Sequence, residues 1–259
     1  MPRHTPPQPA ADGPPLAFSF AGATLVADEQ GAPPRTFLLV HGIGMGRTVF
    51  GGLAEHLGGH GRIVRVDLPG YGEAPEPERT LTIERTADLL AGFIRERGYP
   101  GEPGGLVLVG HSMGTQVVAE VAARHPGLAD RVVMIAPTVD VRARSVGRQL
   151  LRLLQDLAVE SPRVIAIGAR EYLRAGPNLR GKMRAMLAHR PEEAYPRVTV
   201  PTLVLRGGQD TVCPPVWCRE VVALLPDGYL TEIDAHGHET MIRDAEPAAS
   251  RIIRFVEEY

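Results

Sequence analysis

Five short apolar runs divide the chain, each bounded by Gly, Pro or Asp and rich in β-branched residues. They are Thr36-Phe37-Leu38-Leu39-Val40, Ile63-Val64-Arg65-Val66, Leu106-Val107-Leu108-Val109, Val132-Val133-Met134-Ile135 and Thr202-Leu203-Val204-Leu205. Runs of this length without polar alternation predict strands buried on both faces. A further strand is expected from Tyr229 to Ile233. Between the runs, helical spacing takes over: Leu89, Leu90, Phe93 and Ile94 share one face of a helix from Thr82 to Arg97, and Val117, Val118 and Val121 one from Met113 to Arg124. Strands alternating with helices predict an α/β fold, a mostly parallel open sheet with helices on both faces and right-handed crossovers.

The alternation stops after Pro137. From Thr138 to Arg197 only helix-like segments occur, at Gln149 to Val159, Ser161 to Leu173 and Asn178 to His189, with Ser161-Pro162 reading as a cap followed by proline at the first helical position. Sheet periodicity resumes at Val198. The expected organisation is a Pro-rich flexible arm over 1–15, a core α/β domain over 16–137, a helical lid over 138–197 and the rest of the core over 198–259. Leu150, Leu151, Leu153, Leu154, Leu157, Met183, Met186 and Leu187 sit at helical spacings and are expected mainly to form the interior of the lid, a few of them lining an apolar pocket.

Composition narrows the classes. At 259 residues, 44% hydrophobic and 22% charged, the chain has the makeup of one large globular enzyme domain. A net charge of −2 argues against nucleic acid as a partner. Neither a signal-like N-terminus nor a membrane-spanning apolar run is present, so a cytoplasmic enzyme that does not engage a membrane is expected. Cys213 and Cys218, the two cysteines, read as free thiols, and no metal or cofactor is expected. Charge is unevenly placed: 138–197 carries +6 and the remainder −8. Arg142, Arg144, Arg148 or Arg152 could greet an anionic substrate group, but a solvated basic face is the preferred reading.

The chemistry starts at Gly110-His111-Ser112-Met113-Gly114, which follows an apolar run and precedes a helical pattern. In that setting G-x-S-x-G is a nucleophile elbow: a strained turn presents Ser112, and small neighbours two residues away make room for it. A serine hydroxyl needs a base, and the base needs a carboxylate that fixes its tautomer. Asp210, after the Leu203 to Leu205 run, is the best acid. His238, in Asp234-Ala235-His236-Gly237-His238-Glu239, is the preferred base because Gly237 frees its loop. His236 is its rival, and Asp234 competes with Asp210. The oxyanion donors expected are the amides of Met113 and of Ile43, the latter in the loop His41-Gly42-Ile43-Gly44-Met45-Gly46. Trp217 is expected to pack rather than touch substrate.

Together these residues resemble the α/β-hydrolase fold family over about residues 18 to 257. Further matches are Asp67-Leu68-Pro69-Gly70-Tyr71-Gly72 after a strand and Pro201 before Asp210. The resemblance implies that Asp67 to Gly72 shapes a loop beside the site without being catalytic. Serine at position 112 speaks against the dehalogenase and epoxide hydrolase branches, which carry aspartate there. Thr115 stands where many relatives have glycine, and His111 and Ile43-Gly44-Met45 depart from the meta-cleavage C–C hydrolases. Type II thioesterases share the Gly-His-Ser-Met-Gly run and fit in part, and perhydrolases share serine-methionine at 112 and 113. The leading expectation is a serine hydrolase cleaving an ester or lactone of a small, partly apolar molecule. The alternatives are a lyase or cyclisation catalyst, a C–C hydrolase, a thioesterase and a ligand receptor. The assembly, a homodimer included, is left open.

Overall fold

A computed structural model describes residues 13–101, 104–145, 147 and 178–259. The helices expected at Gln149 to Val159 and Ser161 to Leu173 and the Ser161-Pro162 cap lie outside the described residues, as do 1–12 of the N-terminal arm, Arg148 and Arg152.

Eight strands form one sheet: β1 (Leu16–Phe20), β2 (Ala23–Gln30), β3 (Thr36–Val40), β4 (Arg62–Asp67), β5 (Leu106–His111), β6 (Arg131–Ile135), β7 (Thr202–Gly207) and β8 (Gly228–Ile233). Their order is β1-β2-β4-β3-β5-β6-β7-β8. Strands β3 to β8 run parallel, as their continuous apolar character requires, and β1 and β2 are antiparallel additions at one edge. The β1–β2 hairpin lacks a strong sequence signature. Most of β1 is solvent-facing, and β2 ends in Asp28-Glu29-Gln30, residues of low strand propensity. Its two-residue turn, Ala21-Gly22, has both residues at positive φ, which suits the twist of a tight hairpin.

The helices are α1 (Gly51–Leu57), α2 (Ile83–Arg97), α3 (Met113–Arg124), α4 (Leu179–Ala188), α5 (Pro191–Ala194), α6 (Pro215–Leu224), α7 (Thr240–Arg243) and α8 (Glu246–Glu258). Helix α2, expected from Thr82 to Arg97, begins at Ile83 with Thr82 as its cap: the Thr82 hydroxyl accepts from the Arg85 amide at 3.3 Å, and Gly98 closes the other end at φ 70°. Helix α3 packs on α2, and α1 on α8, giving helical layers on both faces of the sheet. The core is the interior of these layers, with β3, β5 and β7 buried along their whole length. No helix of the described residues is long and apolar enough to cross a membrane.

From β3 the chain passes outward to β4, and from β5 it proceeds the other way through β6, β7 and β8. The order therefore reverses between β3 and β5, and at the carboxyl ends of strands beside such a reversal the loops diverge and leave a crevice. The loop beginning at His41 leaves β3 there, and the turn at Ser112 leaves β5.

Candidate active site

Ser112 joins β5 to α3 with φ 51° and ψ −118°, a conformation an L-residue holds only when its surroundings enforce it. Close packing does so. A Cβ on Gly110 would stand 2.5 Å from the Gly114 carbonyl oxygen, and one on Gly114 would overlap the Val40 carbonyl of the neighbouring strand. The Ser112 amide donates to the Ile135 carbonyl at 2.9 Å. Its own carbonyl accepts from the Thr115 amide at 3.0 Å and the Thr115 hydroxyl at 2.6 Å. The buried Thr115 thus adds a bond to the turn.

Asp210 and His238 come together from the ends of β7 and β8. Oδ2 of Asp210 lies 2.9 Å from Nδ1 of His238, and Oδ1 accepts from the amides of Val212 and Cys213, both at 2.8 Å. Both side chains are buried. Burial opposes ionisation of Asp210, but the His238 charge and hydrogen bond and the Cys213 amide outweigh it and hold the carboxyl below its usual range. A carboxylate accepting at Nδ1 requires the proton there, leaving Nε2 of neutral His238 as a base.

The rivals are placed differently. Asp234 is exposed. His236 is buried, with Nδ1 2.9 Å from the Asp234 carbonyl oxygen, and it makes no contact with Asp210 among the described hydrogen bonds. Trp217 is buried against Tyr195, and its Nε1–H donates to the Pro137 carbonyl at 2.9 Å. The Cys213 and Cys218 sulfurs are unbridged, 3.1 Å apart in the interior.

The loop after β3 turns tightly, the Met45 amide donating to the Gly42 carbonyl at 3.3 Å. His41 anchors it. The Leu68 amide donates to His41 Nε2 at 3.1 Å, so the proton is on Nδ1, which donates to the Gly42 carbonyl at 2.7 Å. Burial pushes the His41 pKa down, consistent with this neutral ring. The amides of Ile43 and Met113 find no acceptor among the described residues. The first amide of a helix has no partner within its helix, which accounts for Met113.

Asp67 does scaffolding work. Its carboxylate accepts from the amides of Arg47 (2.6 Å) and Glu73 (2.9 Å) and pairs with the Arg47 guanidinium. Arg47 also binds Asp28 at 2.9 Å and Glu73 at 2.8 Å, and Arg65 binds Asp28 at 2.7 Å. Sequence reasoning missed this buried network because its members are scattered over 46 positions, from Asp28 to Glu73.

A small open cleft of about 30 Å³ lies beside Met113, walled by Leu68, Tyr71, Ile83, Val117 and Lys182 among others. Lys182, on α4, was not anticipated in the site. Its ammonium is buried, donates to the Gly70 carbonyl at 2.5 Å and to Glu76 at 2.9 Å, and stands 4.3 Å from the Tyr71 ring centroid. The Tyr71 hydroxyl in turn reaches Met113 Sδ at 3.8 Å. Exposed Arg142 pairs with Glu220, and the mostly buried Arg144 with Glu192 at 2.6 Å.

One group among the described residues has metal-like spacing: Glu84, Glu120 and His189. Nε2 of His189 is already 2.8 Å from Glu120, and Arg197 and Arg124 stand 3.9 and 4.0 Å from the same carboxylate. With two guanidiniums supplying the positive charge, the donor set fits an ion-pair link between α3 and the end of α4 rather than a divalent cation.

Residues 37–250 match the alpha/beta hydrolase family. The pimeloyl-[acyl-carrier protein] methyl ester esterase of Vibrio cholerae is 24% identical, over 84% of this chain and 92% of its own. The 2-(acetamidomethylene)succinate hydrolase of Mesorhizobium japonicum is 26% identical, over 90% of this chain and 92% of its own. A thermophilic esterase from Thermogutta terrifontis superposes with a TM-score of 0.80 at 23% identity, covering 95% of this chain and 99% of that one.

Proposed function

The chain belongs to the alpha/beta hydrolase family and is a hydrolase, and on that premise we propose that it is a serine hydrolase of carboxylic esters or lactones with a small, uncharged acyl part. The observation that carries the reading is the buried Asp210–His238 pair at 2.9 Å, with Nδ1 protonated and Nε2 left as a base. Ser112, on its strained turn, is the nucleophile. His238 removes the hydroxyl proton as Oγ attacks the ester carbonyl, and the imidazolium is stabilised by Asp210. The unpartnered amides of Ile43 and Met113 receive the oxyanion. His238 then protonates the departing alkoxide, and a water activated by the same imidazole releases the acid.

The character of the cleft beside Met113 supports selectivity for an uncharged acyl group. Its walls are largely apolar, and the cation within it, Lys182, is already met by Glu76, the Gly70 carbonyl and the Tyr71 ring. An acyl chain ending in a carboxylate would have to displace Glu76 to gain a partner. The test is kcat/KM for p-nitrophenyl acetate, butyrate and hexanoate against the succinate half-ester. The expected order places a neutral short ester at least tenfold above the anionic one. Preference for the half-ester would overturn the assignment of acyl class.

A further inference from the structure

The residue before the nucleophile is not a spacer. His111 is fully buried, at the last position of β5, and its ring centroid lies 5.1 Å from that of His238. Its Nε2 is 3.2 Å from the His238 carbonyl oxygen. A carbonyl only accepts, so Nε2 carries the proton and Nδ1 is bare. Nδ1 finds no hydrogen-bond partner among the described residues and faces the oxyanion loop, where a Cβ on Gly42 would stand 3.1 Å from both this nitrogen and Ser112 Cβ. One side chain thus touches all three loops that must be in register: its own nucleophile turn, the loop after β3 and the histidine loop after β8.

The groups around it are His41 from the end of β3, Asp210 from the turn after β7, and His238 and Glu239 from the loop after β8, the Glu239 carboxylate 3.8 Å from Nε2. Burial, followed by the proximity of the His238 charge, pushes the His111 pKa down to about 3. His111 therefore stays neutral through the working range, so it donates a hydrogen bond without competing for the proton that His238 must carry.

We propose that His111 is a positioning residue, whose Nε2–H donated to the His238 carbonyl sets the approach of the His238 imidazole to Ser112. The proposal rests on the Ser112–His238–Asp210 reading. It accounts for a histidine at a place where only small residues two positions away are demanded by the turn.

The test compares His111→Phe, which keeps the ring and loses the donor, with His111→Gln, whose amide nitrogen can occupy the Nε2 position. His111→Asn carries its amide nearer the main chain, short of the carbonyl. Displacing a reacting group by about 1 Å costs on the order of 100-fold. The expected result is a fall of roughly 10- to 100-fold in kcat for the Phe and Asn variants, with KM within about twofold because substrate-binding contacts are retained, and recovery to within a few-fold of wild type in His111→Gln. Thermal melts accompany each variant. If His111→Phe does not fold, the Asn and Gln variants decide. Wild-type kcat in a folded Phe or Asn variant, or a Gln variant no better than Asn, overturns the proposal. Ser112→Ala is assayed beside them: an inactive Ser112→Ala with an unaffected His111→Phe rejects the His111 role alone, whereas a fully active Ser112→Ala rejects the triad beneath it.

Discussion

Replacing Asp210 with asparagine probes the site at its most constrained point. Three N–H groups converge on the two carboxylate oxygens: the amides of Val212 and Cys213 on one, at 2.8 Å each, and Nδ1 of His238 on the other, at 2.9 Å. An amide has one oxygen. Keeping it on the two backbone donors preserves two bonds and turns the NH2 toward Nδ1, which must then become an acceptor. The ring proton moves to Nε2, and the base is lost while the loop stays intact. In serine-protease triads the same change lowers kcat about 10⁴-fold, or roughly 5.5 kcal/mol of barrier. The expectation for Asp210→Asn here is a loss on the order of 10³- to 10⁴-fold in kcat for p-nitrophenyl butyrate. KM should stay nearly constant. Stability should fall by no more than about 1.5 kcal/mol, one hydrogen bond's worth. Steady-state kinetics with parallel denaturant unfolding measure both. A kcat within tenfold of wild type would refute the assignment of Asp210 as the group that fixes the His238 tautomer.

Three further outcomes follow from the packing and the ionisations. Arg47→Met leaves the buried carboxylate of Asp67 without its guanidinium and should cost about 3–5 kcal/mol by urea unfolding; a loss below 1 kcal/mol would mean the network is not holding the 67–73 loop. Gly114→Ala drives a methyl into the Val40 carbonyl and should abolish activity and lower Tm, and a fully active, equally stable variant would contradict the close β3–α3 contact. His111 is neutral in the folded chain down to about pH 3, whereas in the unfolded chain it protonates below about 6.5. Its contribution to stability is therefore lost as pH falls through that window, at up to about 1.4 kcal/mol per pH unit. Unfolding free energies between pH 6 and 4 should accordingly fall less steeply in His111→Phe than in wild type, and parallel slopes would show the ring is protonated in the fold.

The parallel strands were legible because burial on both faces leaves uninterrupted apolar runs, and each of the six expected strands was found, extended by at most two residues at either end. Helix α3 coincides with its expected bounds, and α2 starts one residue after its expected Thr82 and ends at its expected Arg97. What was missed has little local pattern: the mostly exposed β1, the Gly-rich α1 and the proline-started α6. Helix α8 was readable in retrospect, with Ala248, Ala249, Ile252, Phe255 and Val256 on one face. Within the candidate site, a local motif pointed to Ser112, and chain order suggested Asp210 and His238. Residues that act through distant partners, such as Arg47, Lys182 and His111, carry no such signature, because their partners are 20, 106 and 127 positions away.

Peptide mapping after treatment with a fluorophosphonate locates the nucleophile. One adduct is expected, on Ser112, with loss of both the adduct and ester turnover in Ser112→Ala. An adduct on another residue, or undiminished turnover in Ser112→Ala, would contradict that assignment.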